Sequence, residues 1–501
     1  VKHEAVIPER INDRVSELLL RHVRGGKRQE ELCFGLWRPS TGATRRTSIL
    51  FDIIPPEPDE RRLHGNASFT PEYLTRAVRL ACDQKAGLAF MHNHLAPGWQ
   101  DMSEPDIVAE RERISPPARA TGYPLLGLTL GTDGSWSGRL WQWNGGKFNR
   151  VWCDKVRVAG KRLRITFNDK AIPPPARRSV LQRTIDTWGA GCQNIIARLR
   201  VGVVGVGSVG SMVSEALARM GVERLTLIDP DRVEMHNLDR LVHAGIDDVG
   251  RAKVEVAAHR LRVSATAERF DIRTYQLPIE NETALLSALD CDLLFSAVDR
   301  PLPKDLLNRI AYVHCIPVIS GGVFVGKKSD GTLGQAAWSV AIVGPSRRCL
   351  RCDGQYNSSE VVLERDGSFD DPSYVTNATG REQANQNVFP FCTNLASLMV
   401  IEMARLIVAA DWWPDVGGKL HYSLIPGRLQ HEQGMCQPNC SIRETEALGD
   451  TYQYPFVQPA DTRQAPTRQT RVGLAKIWRF IRDLYTKVDS PPTIANRPRV
   501  E

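Results

Sequence analysis

No stretch of the chain strings together the roughly 18 apolar residues that carry a helix across a bilayer, which argues against integral membrane association. Val1 to Arg24 are charged throughout and hold no secretion-signal core, so a cytoplasmic location is expected. No RNA- or DNA-reading motif occurs, and a net charge of +8 is modest for 501 residues, so nucleic acid is not an expected partner. There is no internal repeat. Cysteines number only 11, an odd count in which four fall in a metal-like pattern. That usage excludes a disulfide framework and suits a reducing compartment.

What remains is a chain too long for one ordinary domain, with an apolar fraction of 42% that can build sizeable cores. Residues 1–145 read as one α/β unit. Its signals are strand-like runs at Glu31–Trp37 and Thr47–Ile54, a helix opened by Thr70-Pro71, and a short strand from Leu88 to Met91. Pro173-Pro174-Pro175 marks a break, and 146–177 is expected to be a linker. From 178 to 446, a long helix to Arg198 precedes alternating strands and helices, the rhythm of a Rossmann-like doubly wound sheet. Residues 353–388 read as a polar loop. Residues 447–501 read as a flexible basic tail, with an amphipathic helix expected at 473–488.

The first unit contains His92-Asn93-His94 at a strand end. Residues two apart on a strand point to one side, so both imidazoles can grip one zinc ion. Asp106, one turn into the next helix, completes three ligands. A fourth position is left for water, whose pKa zinc lowers to about 7. Glu31 is the candidate general base, with Glu30 as the neighbouring alternative. Strand alternation sends the two to opposite faces, so only one can reach the metal. Ser103 is expected to donate a hydrogen bond to the developing oxyanion.

The pattern over roughly residues 10–145 resembles the JAMM (JAB/MPN) metallopeptidases. The resemblance implies cleavage after the C-terminus of ubiquitin-like proteins. It places the catalytic glutamate at Glu31, the zinc ligands at His92, His94 and Asp106, and the serine at Ser103. Leu95 stands where the family usually has proline, and the spacer from His94 to Ser103 is one residue longer than usual.

In the second unit, Gly205, Gly207 and Gly210 follow a strand and open a helix, where backbone amides favour phosphate. Asp229 ends the next strand, placed to meet a ribose hydroxyl. Taken alone, these describe a dinucleotide site and a nicotinamide oxidoreductase. Asn237, Arg240 and Lys253 beyond the turn argue for ATP, whose attack at the α-phosphate builds charge that a dinucleotide does not. Asp299, after Leu293–Val298, can hold Mg²⁺. Cys349 and Cys352 with Cys436 and Cys440 make a four-thiolate set, expected to be a closed structural zinc site.

Residues 178–440 resemble the ubiquitin-activating superfamily of ThiF/MoeB-like adenylyltransferases. The resemblance assigns ribose to Asp229, phosphates to Asn237, Arg240 and Lys253, and magnesium to Asp299. It implies a homodimer in which Arg183, or Arg178, reaches the partner's nucleotide. It also implies transfer of the cargo to a conjugating enzyme. Cys392, beside the polar loop at a helix start, is the candidate thioester cysteine. A core role for it is the alternative.

Together these features point to ATP-dependent activation of a ubiquitin-like protein, joined to its zinc-dependent processing or deconjugation. The cofactors implied are ATP, Mg²⁺ and two zinc ions, one catalytic and one structural. Sulfur-carrier activation for cofactor synthesis is the alternative.

Overall fold

The computed structural model describes residues 1–24, 27–63, 67–368, 387–408, 418–455 and 457. The expected tail helix at 473–488, and half of the expected polar loop, lie outside the described residues. The part of that loop which is described carries a helix, Ser358–Arg365, capped by Asn357.

Two units partition the chain. The smaller comprises Val15–Trp37 and Asp52–Trp152 of the described residues. Its central strand is Gly87–Asn93, in which every residue is buried. That strand runs antiparallel to the strand starting at Leu32 and parallel to Leu125–Leu130. Trp136–Asn144 and Lys147–Trp152 extend the sheet as antiparallel neighbours. Burial on both faces explains the uninterrupted apolar reading of Gly-Leu-Ala-Phe-Met. The helix Pro71–Asp83 starts as expected, with Thr70 as its cap and proline in its first turn.

The larger unit gathers Val1–Arg14, Arg38–Phe51 and the described residues from Cys153 onward. Its eight-stranded sheet comprises β1 (Arg200–Val204), β2 (Arg224–Ile228), β3 (Asp271–Tyr275), β4 (Leu293–Ser296), β5 (Val318–Lys327), β6 (Leu333–Val343), β7 (Lys419–Ser423) and β8 (Arg428–Glu432). The spatial order is β3-β2-β1-β4-β5-β6-β7-β8. The first five strands pair in parallel, and β6 to β8 continue antiparallel. The order reverses between β1 and β4, so a crevice opens beyond their carboxyl ends.

Two expectations are corrected here. Residues 146–177, read as a linker, carry the strands Lys147–Trp152, Lys155–Ala159 and Leu163–Phe167. The strand at Lys155 pairs in parallel with Lys2–Pro8. Its lysine and arginine hid it, because a buried strand ordinarily reads as apolar. Both charges are satisfied by distant acids. Lys155 Nζ lies 2.5 Å from Asp292 and 3.5 Å from Glu4. Arg45 Nη1 bridges the same two acids at 3.0 and 3.1 Å. Arg157 lies 3.7 Å from Asp292, and all five side chains are buried. Burial pushes the Asp292 carboxyl up, but Lys155, Arg45 and Arg157 outweigh it and hold it well below the usual range. Asp292→Ala would leave three buried cations with Glu4 as their one shared acid, and it is expected to cost about 3–5 kcal/mol in denaturant unfolding.

The second correction concerns apolar runs. The helix Phe389–Val408 is long and apolar enough, by length and composition, to cross a membrane. It packs against the helix Ser208–Arg219 and strands β5 and β6. Leu395, Met399 and Met403 enter the core of the larger unit beside Val203, Leu227 and Phe295.

Candidate functional site

Strand Gly87–Asn93 delivers His92 at its end and His94 just beyond. Ser103 caps the following helix, Glu104–Val108, in a reciprocal capping box with Asp106. The cap fixes the carboxylate: Ser103 N and Oγ donate to Asp106 Oδ2 at 2.9 and 2.7 Å. His92 Nε2 and His94 Nε2 are 3.1 Å apart, and they lie 3.6 and 3.2 Å from Asp106 oxygens. Ligands about 2.0–2.1 Å from a shared tetrahedral zinc would be separated by about 3.4 Å. The three side chains therefore fit one such ion.

Burial, reinforced by Arg139, pushes His92 down to about 3 and keeps the ring neutral, the form that ligates. The hydrogen bond to Asp106 raises His94. Burial opposes ionisation of Asp106, but His94, His92 and Ser103 hold its carboxyl well below the usual range.

Two assignments change in this unit. Glu31 does not join the cluster. Leu32 lies opposite His92, so alternation turns Glu31 to the other face. Its carboxylate is held by Arg61 and accepts from Leu32 N at 3.0 Å. Glu30 is raised by burial and is within electrostatic reach of His94 and Asp106. Ser103, expected to serve an oxyanion, donates its hydroxyl to Asp106 instead.

A supporting chain was not foreseen from sequence. Arg139 Nη1 donates to Thr129 Oγ1 at 2.6 Å, and Thr129 Oγ1 lies 3.5 Å from His92 Nε2. Glu110 holds Arg139 Nε at 2.9 Å and Trp141 Nε1 at 2.7 Å. A lone arginine in the buried strand Trp136–Asn144 was the available signal.

In the larger unit the glycine turn connects β1 to the helix Ser208–Arg219. Gly205 has φ +85°, and a Cβ there would meet Ala297 O at 2.6 Å. A Cβ on Gly210 would sit 1.8 Å from Gly205 O. The turn is therefore open only to glycine at these two places. Gly207 stands at the helix N-cap. Gly210→Ala is expected to cost about 1–3 kcal/mol of stability by overpacking, and to weaken protection by ATP in a melting assay.

Asp229 follows β2 and accepts from Val206 N at 2.6 Å and Asp231 N at 2.8 Å, tying the acid to the glycine turn. Burial raises its carboxyl, and Lys253 opposes that. Lys253 Nζ lies 2.8 Å from Asp231. Arg240 donates to His236 O and to Asp239 Oδ1, both at 2.7 Å. Its charge reaches Cys392, whose thiol lies near Ser208 at the turn. Asp299 is exposed just past β4. Asn237 Oδ1 is used locally, accepting from Glu234 N at 3.0 Å. Gly205, Asp229, Lys253, Arg240 and Asp299 thus gather around the carboxyl ends of β1, β2 and β4.

Cys392 is buried in the first turn of Phe389–Val408. Burial raises its thiol, against the lowering that a helix start ordinarily gives a cysteine. Arg183 is exposed on the helix Gln182–Arg198, which kinks at Gly189, and Arg178 donates to Thr266 O at 2.5 Å.

The four remaining assigned cysteines converge. Cys349 and Cys352 sulfurs each lie 3.6 Å from Cys440 Sγ, and Cys349 N donates to Cys436 Sγ at 3.2 Å. Four thiolates about 2.3 Å from one ion would stand about 3.8 Å apart. The cluster fits one metal with no open position.

Comparison with known proteins locates this second region. tRNA threonylcarbamoyladenosine dehydratase of Escherichia coli (strain K12) is 34% identical over 139 residues, 28% of this chain and 52% of that protein. Adenylyltransferase and sulfurtransferase MOCS3 of Caenorhabditis briggsae is 26% identical over 245 residues, 49% of this chain and 54% of that protein. tRNA threonylcarbamoyladenosine dehydratase of Bacillus subtilis (strain 168) is 48% identical over 190 residues, 37% of this chain and 74% of that protein. The chain spans about half the length of the first two relatives. The ThiF family model matches residues 181–439, the stretch that carries the glycine turn and three of the four clustered cysteines, with Cys440 immediately after it, and the chain belongs to the ThiF family.

Proposed function

We propose that the larger unit adenylates the C-terminal carboxylate of a small ubiquitin-like carrier protein with ATP. The carrying observation is the convergence of the glycine turn, Asp229, Lys253, Arg240 and Asp299 at one end of the sheet. A carrier carboxylate oxygen attacks the α-phosphorus, an acyl-adenylate forms, and pyrophosphate leaves. The turn amides receive phosphate oxygens, Asp229 orients the ribose, and Lys253 and Arg240 face the charge that develops. Asp299 would hold Mg²⁺, which when bound offsets phosphate charge. A homodimer would bring Arg183 to the partner's nucleotide, and a conjugating enzyme would receive the cargo. The buried Cys392 favours transfer without a thioester on that residue.

The smaller unit is read as a JAMM-type zinc peptidase acting on the same carrier terminus. His92, His94 and Asp106 would hold the ion, which when bound supplies Lewis acidity at neutral pH. Glu30 would take a proton from the attacking water and return it to the leaving amine. The convergence of the two imidazoles and one carboxylate supports this.

Two other readings have specific support. A relative named for sulfurtransferase as well as adenylyltransferase activity favours a thiocarboxylate product. Relatives named tRNA threonylcarbamoyladenosine dehydratase favour a tRNA substrate. Incubating the chain with ATP, sulfide as the sulfur donor and a small carrier protein ending in glycine separates them by mass spectrometry. AMP release with attachment to lysines supports conjugation, and a gain of one sulfur supports the carrier alternative. No change in the carrier, with a modified tRNA in a parallel reaction, refutes the proposal.

A further inference from the structure

The opposite, amino ends of β1, β2 and β3 border a cavity of about 290 Å³ within the larger unit. Its lining includes Lys2, Arg200, Arg224, Arg273, Asp271 and Asp290. Arg200 begins β1 and Arg224 begins β2, and the parallel register sets them directly opposite each other. Side chains so paired share a face one strand spacing apart, and like charges there repel. Arg224 has Asp271 as its register partner on the other side.

Glu4 is within electrostatic reach of Arg200 but is already engaged by Arg45 and Lys155, and the other acids nearby are shared as well. Asp290 accepts from Thr44 N, Thr44 Oγ1 and Arg45 N at 2.6–3.1 Å. Arg273 stands 3.8 Å from both Asp271 and Asp290. Lys2 is 3.6 Å from Asp154. Glu223 lies within electrostatic reach of Arg224. Even so, Arg224 Nη1 is buried with no hydrogen-bond partner. Burial, and then Arg200 and Arg224, depress the Lys2 ammonium, so the three cations feel one another.

A buried guanidinium nitrogen without a partner costs stability unless something accepts from it. Planar guanidinium forks side by side suit a tetrahedral oxyanion. We infer that this cavity binds the phosphate group of a small anionic metabolite, at a site separate from the nucleotide turn. The volume is near the lower end of the range for small-ligand pockets, about 300–1,000 Å³, so the ligand is the size of a phosphate monoester rather than a dinucleotide. The inference rests on the strand register and the cavity, not on the adenylation reading.

Inorganic phosphate, titrated into the full chain in chloride buffer, tests it by calorimetry and melting temperature. The wild type is expected to bind phosphate and melt higher with it. Arg224→Gln and Arg200→Gln should each weaken binding at least tenfold while retaining the wild-type circular dichroism spectrum. Without phosphate, neither variant should melt below the wild type, because each removes a repulsion. Arg240→Ala, at the nucleotide turn, should bind phosphate as the wild type does. Undetectable binding by the wild type, equal binding by both glutamine variants, or loss of binding in Arg240→Ala alone would each overturn the inference.

Discussion

Lys253→Ala is expected to lower ATP–pyrophosphate exchange by about 10²–10³-fold, with little change in melting temperature. The ammonium sits 2.8 Å from Asp231 and acts on Asp229, which itself accepts from the glycine turn at Val206 N. It is therefore held at the nucleotide end of β2 beside two acids, of which the buried Asp229 keeps its hydrogen bonds from Val206 N and Asp231 N without it. Its ion pair with the exposed Asp231 contributes little to stability, about 0–1 kcal/mol. The charge it offers to a departing pyrophosphate is worth far more, because it is already in place when the charge develops. Arginine at this position should recover part of the rate. A loss of melting temperature proportional to the loss of rate would make Lys253 a structural residue.

Removing one thiolate from the cysteine quartet should have the largest effect on stability. Cys440 Sγ lies 3.6 Å from two other sulfurs, so Cys440→Ser opens the shell at its centre. Structural zinc in small peptides contributes about 10–16 kcal/mol of apparent binding energy, and a site closed by segments far apart in the chain couples that energy to folding. The variant is expected to lose one zinc ion per chain by elemental analysis and to melt well below the wild type. His94→Ala should also lose one zinc ion, but with a small stability change and with loss of the proposed peptidase activity. Equal zinc content in all three proteins would remove both metal assignments.

The contrast between these sites shows what could be read from sequence. Gly205, Gly207, Gly210 and Asp229 were legible because a turn that admits only glycine leaves a local mark. The cysteine quartet was legible because metal shells use short spacings, even when the pairs lie far apart. The choice between Glu30 and Glu31 was not, because it depends on the pairing of Leu32 with His92. The position of Cys392 at a helix start was correctly expected, while its burial came from packing that no local pattern encodes. The strand around Lys155 and Arg157 was missed for a similar reason. Its compensating acid, Asp292, lies 137 residues away for Lys155.

The most direct test is ATP–pyrophosphate exchange by the purified full chain, with and without a small carrier protein whose C-terminus ends in glycine. The account predicts exchange only when the carrier is present, abolished by Asp299→Ala and strongly reduced by Arg240→Ala. Exchange that survives Asp299→Ala, or tight binding of NAD with none of ATP, would contradict it.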